Sequence, residues 1–258
     1  MAELLFWPAL LFYGEAAVGY LGDARRPGVA GRAATWGVRL GWLTQTALLC
    51  VQAARDDGFP WGTWAGSLNL FVWLVVSSYL IWGCRPRYRL LGLTVMPLAA
   101  ALFVVARIGG GTRAGSSSSY GNLFLVLHVG FVLAAFAGFT LAAGLSALYL
   151  WEERRLKRRA SDVLRLRMPP LAALERLSRR TIAVAVPLLT LGLAAGFVRL
   201  RADGNSIDAL EVMAVLTWFG YGTFLVVRPT GRNAAYVALG GFALVIVLRL
   251  ALSGSHFA

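Results

Sequence analysis

Eight stretches of about 18 to 30 predominantly apolar residues follow one another along the chain. They run over about 2 to 21, 36 to 53, 64 to 83, 89 to 107, 121 to 150, 180 to 199, 209 to 227 and 233 to 253. A transmembrane helix needs about 20 such residues, so eight helices take up about 160 of the 258 and leave only short loops. The chain is 58% hydrophobic and 14% charged, against about 45 to 50% and about 25% in soluble domains. Disordered, fibrous and disulfide-rich secreted classes are excluded. The expected architecture is an all-α polytopic membrane protein of about eight transmembrane helices, with residues 1–258 as a single transmembrane helical domain. Pro97 and Pro187 fall inside spans, where neighbouring helices satisfy the backbone groups that proline frees.

Short cytoplasmic loops carry the excess of Lys and Arg. Nineteen of the 25 basic residues fall in or beside alternate loops: Arg25 to Arg39, Arg85 to Arg89, Arg154 to Arg180, and Arg228 with Arg232. The opposite loops hold five, Arg55, Arg107, Arg113, Arg199 and Arg201, while Arg249 lies inside the last span. Both termini are therefore expected outside and the 154 to 180 loop in the cytoplasm. The net charge of +13 reads as topology, with attraction to anionic lipid as a secondary effect, and not as nucleic-acid binding. The first span lacks a basic leader and carries Glu3 and Glu15, so it is expected to stay as a helix. Cys50 and Cys84 fall at opposite ends of the bilayer, too far apart for a disulfide.

Few residues in such a chain can carry chemistry. There are only two histidines, and this topology puts both on the outer side: His128 in "NLFLVLHVGF" at the start of span five, and His256 in "LSGSHFA" beyond span eight. Each alone can be an interfacial histidine in an ordinary hydrogen bond. Together, on different helices at similar depth, they can supply both axial ligands of one haem iron. Asp208 and Glu211, three residues apart at the start of span seven, share a helix face; they either cap that helix or shape a site. Arg249, two turns before His256, needs a partner within a membrane. Asp208, Glu211 and a haem propionate are the candidates. Trp61 and Trp64 in "GFPWGTWAGSLNLFVW" either anchor the membrane interface or stack on a porphyrin. No Ser-His-Asp triad, P-loop, zinc spacing or dinucleotide fingerprint is present, so no catalytic residue is assigned and a conventional catalyst is not expected.

Four stretches resemble the CcsA/HemX-type haem-handling membrane proteins of cytochrome c assembly. They are "GWLTQTALLC" through "GFPWGTWAGSLNLFVW"; "LFLVLHVGFVLAAFAGFTLAAGLSALYLWEERRLKRR"; "MPPLAALERLSRRTIAVAVPLLTLGLAAG"; and Ile207 to Arg228 continuing to His256. The resemblance implies one b-type haem at the outer face between His128 and His256, and a bacterial-type cytoplasmic membrane. It also implies a partner protein holding apocytochrome c. Asp208 to Glu211 take the place of the family's Asp-Pro-Lys-Glu register, and "VLTW" ending at Trp218 continues it. The tryptophans that precede that aspartate in the family are replaced by "GNSI", and Gln45 and Val226 stand at the family's inner histidine positions. The chain therefore reads as a divergent member without that inner haem site. Two other roles fit the same residues: a haem-bearing electron-transfer or anchor subunit of a larger complex, and a haem-free scaffold or regulator of haem biosynthesis.

Overall fold

A computed structural model describes residues 2–25, 28–54, 63–82, 91–112, 123–158, 170–203 and 209–253. These residues form eight helices: α1 (Ala2–Arg25), α2 (Val29–Ala53), α3 (Trp64–Trp82), α4 (Gly92–Ile108), α5 (Leu123–Lys157), α6 (Leu171–Asp203), α7 (Ala209–Val227) and α8 (Gly231–Ser253). No strand occurs among the described residues. By length and composition α1, α3, α5 and α6 can each cross a membrane, and α4, α7 and α8 contain shorter apolar segments. The outward side chains agree: Val215, Leu216, Phe219 and Val226 on α7 are all at least half exposed. An apolar face of that kind belongs in hydrocarbon. The chain is an all-α polytopic membrane protein.

Three helices outrun the apolar runs that announced them. α5 continues past residue 150 to Lys157, and α6 begins at Leu171 instead of about 180. The added turns are built of strong helix formers and closed by i,i+4 ion pairs, Glu153–Lys157 at 2.6 Å and Glu175–Arg179 at 3.2 Å. At 35 residues α5 is about 52 Å long, well beyond the roughly 30 Å of a hydrocarbon core. α2 likewise starts at Val29, seven residues before its expected start, through the small-residue run Ala30, Gly31, Ala33 and Ala34.

The helices form two compact units, α1–α4 and α5–α8. In the first, α1 and α2 approach closely because small residues face each other. A Cβ on Gly19 would lie 2.9 Å from Ala34 Cβ, and one on Gly37 3.1 Å from the Phe12 carbonyl oxygen. A reciprocal clasp joins α2 and α3. Trp42 Nε1 donates to Ser77 Oγ (2.7 Å) and Trp73 Nε1 to Thr46 Oγ1 (2.8 Å). Each hydroxyl donates in turn to the backbone carbonyl four residues earlier, and the two indoles stack at 5.6 Å.

The interior of this unit holds a polar chain. Tyr13 donates to Gln45 Oε1 (2.7 Å), and Gln45 Nε2 donates to Asn69 Oδ1 (2.9 Å) and to the Asn69 carbonyl (3.1 Å). Asn69 Nδ2 donates to Gln52 Oε1 (3.3 Å) and to the Gly111 carbonyl (3.1 Å), which also accepts from Gln52 Nε2 (3.1 Å). Gln45, Gln52 and Asn69 are wholly buried. The acceptor at the end of the chain is delivered by a Schellman turn. Gly110, at φ 84, ends α4 with Gly111 N–H donating to Ala106 O and Gly110 N–H to Arg107 O. A buried amide without partners is expensive where no water can reach it, and here every amide is engaged. Replacing Asn69 with leucine removes three buried side-chain bonds and leaves Gln45 Nε2 with the residue-69 carbonyl and the Gly111 carbonyl with Gln52. It is expected to destabilise the chain by about 2 to 4 kcal/mol, read as a shift in denaturant unfolding in detergent.

In the second unit α5 and α6 form a long antiparallel pair, in register from Ser146 opposite Ser178 (Oγ to Oγ 3.2 Å) to His128 opposite Gly196. Phe139, Ala142, Ile182, Ala185, Leu189, Tyr221, Phe224 and Ala238 fill the core between α5, α6, α7 and α8. Phe139 and Tyr221 stack at 4.0 Å, and the Tyr221 hydroxyl donates to the Ala238 carbonyl (3.0 Å), pinning α7 to α8. The α7–α8 turn places Arg228 at φ 50 ahead of Pro229, whose carbonyl accepts from Arg179 (2.7 Å).

Candidate functional site

His128 lies in the second turn of α5, partly buried, against the stretch of α6 from Gly192 to Gly196. Its Nδ1 stands 2.7 Å from the Gly192 carbonyl oxygen. A carbonyl oxygen only accepts, so Nδ1 carries the hydrogen, and in the neutral ring Nε2 keeps a lone pair. One ring nitrogen donating to a backbone carbonyl is how proteins orient an imidazole to coordinate a metal through the other.

Glycine makes this approach possible. A Cβ on Gly192 would lie 2.8 Å from Val132 Cγ2 and 3.1 Å from the Val132 nitrogen, so α5 and α6 are nearly in backbone contact there. A Cβ on Gly196 would lie 2.5 Å from His128 Nδ1 and 2.7 Å from Cε1. The imidazole thus fills the space a side chain at 196 would take. The four-residue spacing of "GLAAG" sets both glycines on one face of α6. That small-xxx-small signal was readable in the sequence, although nothing there tied it to His128.

Six residues before Gly196, Thr190 Oγ1 accepts from Trp218 Nε1 (2.8 Å) and donates to the Val186 carbonyl (2.9 Å). This joins α7 to the same helix that holds the imidazole. Glu211 lies partly buried in the first turn of α7, where the helix dipole favours a carboxylate. Trp64 belongs to the other unit. It opens α3, 56% exposed, against Gly109, whose Cβ would collide with its ring. No hydrogen bond or ion pair joins His128 to Glu211 among the described residues. Arg249 lies in α8, with its side chain outside the described residues; Trp61, Asp208 and His256 also lie outside them. The two positions matched to the inner histidines are both accounted for. Gln45 is committed to the buried amide chain and Val226 is 82% exposed on α7.

Haem fits His128 on its geometry: a partly buried imidazole with Nδ1 committed to a carbonyl offers Nε2, the atom that coordinates haem iron.

Residues 61–255 match the cytochrome C assembly protein family. Among curated proteins, the chain is similar to the cytochrome c biogenesis protein CcsA of Picosynechococcus sp., at 24% identity over 97% of this chain and 91% of that one. It is similar also to CcsA of Guillardia theta, at 25% over 83% and 80% of the two chains. Protein HemX of Brevibacillus brevis is 28% identical over 61% and 58%. No solved structure matches. With three quarters of its length inside that match, the chain belongs to the cytochrome c assembly protein family.

Proposed function

We propose that the chain handles haem in cytochrome c biogenesis, holding one b-type haem as cargo at the outer face of a bacterial-type cytoplasmic membrane for delivery to apocytochrome c. The observation that carries this is the His128 imidazole, turned by the Gly192 carbonyl so that Nε2 is its coordinating atom. His256 is the second axial ligand in this reading, and Arg249 pairs with a propionate. Asp208 and Glu211 shape the site, and Trp61 and Trp64 are the aromatic surfaces against which the porphyrin stacks. Residues 1–258 act as one membrane domain whose arginine distribution sets both termini outside.

The protein's own part is positional. His128 is held in one tautomer, and packing of α5 on α6 fixes its ring plane. Helix burial around it lowers the local dielectric, which strengthens contacts to a charged cargo. Bound there, haem supplies an iron ligated from two sides and a redox-active centre. The names of the CcsA relatives support the biogenesis role.

The role is tested in cells. Deleting the gene is expected to abolish covalently haem-bearing c-type cytochromes, seen by haem staining of denaturing gels, and a plasmid copy is expected to restore them. Unchanged c-type cytochromes in the deletion strain contradict the role.

A further inference from the structure

We propose that Tyr149, Glu175 and Ser178 hold one ordered water molecule between α5 and α6, at the end of the second unit where α6 and α8 begin. The site lies near the opposite end of α5 from His128 and does not depend on the haem reading.

A cleft opens here among α5, α6, α7 and α8. It measures about 270 Å³ with its mouth included, and its enclosed part has room for one water-sized group. Gly231, Ala234 and Ala235 line it from α8, where spacings of three and four residues set them on one helix face. A longer side chain at these positions would fill the space. Tyr149 lines the same cleft at 9% exposed, and its hydroxyl makes no hydrogen bond to protein among the described residues. A Cβ on Gly231 would lie 3.6 Å from that hydroxyl, so α8 comes alongside it without offering it a bond. Tyr221, buried in the same unit, gives its hydrogen to the Ala238 carbonyl (3.0 Å). Buried hydroxyls are almost always bonded, to protein or to ordered water, so Tyr149 needs an acceptor inside the cleft.

The polar groups that line the cleft with Tyr149 fit water. Ser146 spends its hydrogen on the Ala142 carbonyl (2.8 Å), and Ser178 spends its own on that carbonyl (3.3 Å) or on Ser146 Oγ (3.2 Å). Ser178 Oγ therefore offers the cleft an acceptor. Glu175 brings a carboxylate: Oε1 accepts from Arg179 Nη2 (3.2 Å), and Oε2 makes no hydrogen bond among the described residues. One donor, Tyr149, and two acceptors, Glu175 and Ser178, suit a molecule that accepts once and donates twice. Water does both, and a buried water needs about two to four polar partners. A cation would meet the Arg179 guanidinium, which already neutralises Glu175 and is tied to the α7–α8 turn through the Pro229 carbonyl (2.7 Å). The occupant is therefore neutral. Bound there, the water carries the hydrogen bond of Tyr149 across to α6.

The test uses the full chain in mild detergent, irradiated with a short synchrotron X-ray pulse and read residue by residue by mass spectrometry. Hydroxyl radicals form from the water beside a side chain and label it, so a buried residue is labelled when an ordered water touches it. In a frozen sample radicals from bulk water do not diffuse, and the label left is that made by bound water. Tyr236, 42% exposed, and Tyr221, 4% exposed, serve as references. In the liquid sample Tyr149 and Tyr236 are expected to be labelled and Tyr221 not. On freezing, Tyr149 should keep its label and Tyr236 lose most of its own. Ala235→Val, which puts methyl groups into the cleft, should abolish the Tyr149 label and leave that of Tyr236 in the liquid sample unchanged, with helical circular dichroism confirming the fold. A wild-type Tyr149 as unlabelled as Tyr221 overturns the site. A Tyr149 label that vanishes on freezing shows bulk solvent in the cleft and overturns the bound water. A frozen-sample label that survives Ala235→Val puts the water outside this cleft and overturns the site as well.

Discussion

His128→Ala is expected to cut haem retained through purification by more than about tenfold, because loss of even an orienting partner costs about 10- to 100-fold at metal sites and here a ligand itself is lost. Residual haem should show an altered, high-spin spectrum, since one axial position opens to water or stays vacant. The helices should survive. His128 is only partly buried, and α5 and α6 meet over many other residues, from Val132 opposite Gly192 to Ser146 opposite Ser178. Pyridine haemochrome quantification together with circular dichroism separates the two effects: helicity kept with haem gone is the expected result. Full haem content with an unchanged low-spin spectrum would remove His128 from the site.

Gly196→Ala probes the same imidazole without touching it. An added Cβ would stand 2.5 Å from Nδ1, about 1 Å inside comfortable contact. The ring is the part that can give, by rotating about its own torsions, and rotation takes Nδ1 away from the Gly192 carbonyl. Inside a helix, alanine is otherwise favoured over glycine by about 1 kcal/mol, so the fold has an offsetting gain. The expected outcome is near wild-type thermal stability with haem affinity about 10- to 100-fold weaker, the usual effect of losing an orienting hydrogen bond. Gly222→Ala on α7 serves as the control, since nothing lies within 4 Å of a Cβ there. If Gly196→Ala and Gly222→Ala bind haem equally, the close fit of His128 on α6 has no bearing on ligation.

Helix number and type were legible in the sequence because apolar runs long enough to cross a bilayer have few other fates. Helix ends were less so. Hydropathy reports where a helix meets lipid, and it falls silent at "WEERRLK" and "ALERLSRR", where charged residues carry α5 and α6 onward through their own ion pairs. His128 was legible through rarity, as one of two histidines in a chain poor in polar groups. Its partner surface was not, because Gly192 and Gly196 lie 64 and 68 positions away and announce only a close helix contact. The amide chain of Gln45, Gln52 and Asn69 was equally hidden. Each residue is unremarkable alone, and only the packing of α1 to α4, with the turn at Gly110, brings Gln52 and Asn69 to one carbonyl and Gln45 to Asn69. That chain also gives Gln45 a physical role in place of the histidine expected at its position: both ends of its amide are engaged, and Tyr13 accounts for its oxygen.

The central claim is that one haem is held between two histidines, and the visible spectrum of the wild-type chain purified in mild detergent tests it most directly. The reading predicts about one haem per chain, with the sharp α and β bands of low-spin, six-coordinate iron in the reduced-minus-oxidised difference. Protein that stays free of haem after supplementation, or that binds it with a high-spin spectrum, contradicts two-histidine ligation at His128 and His256.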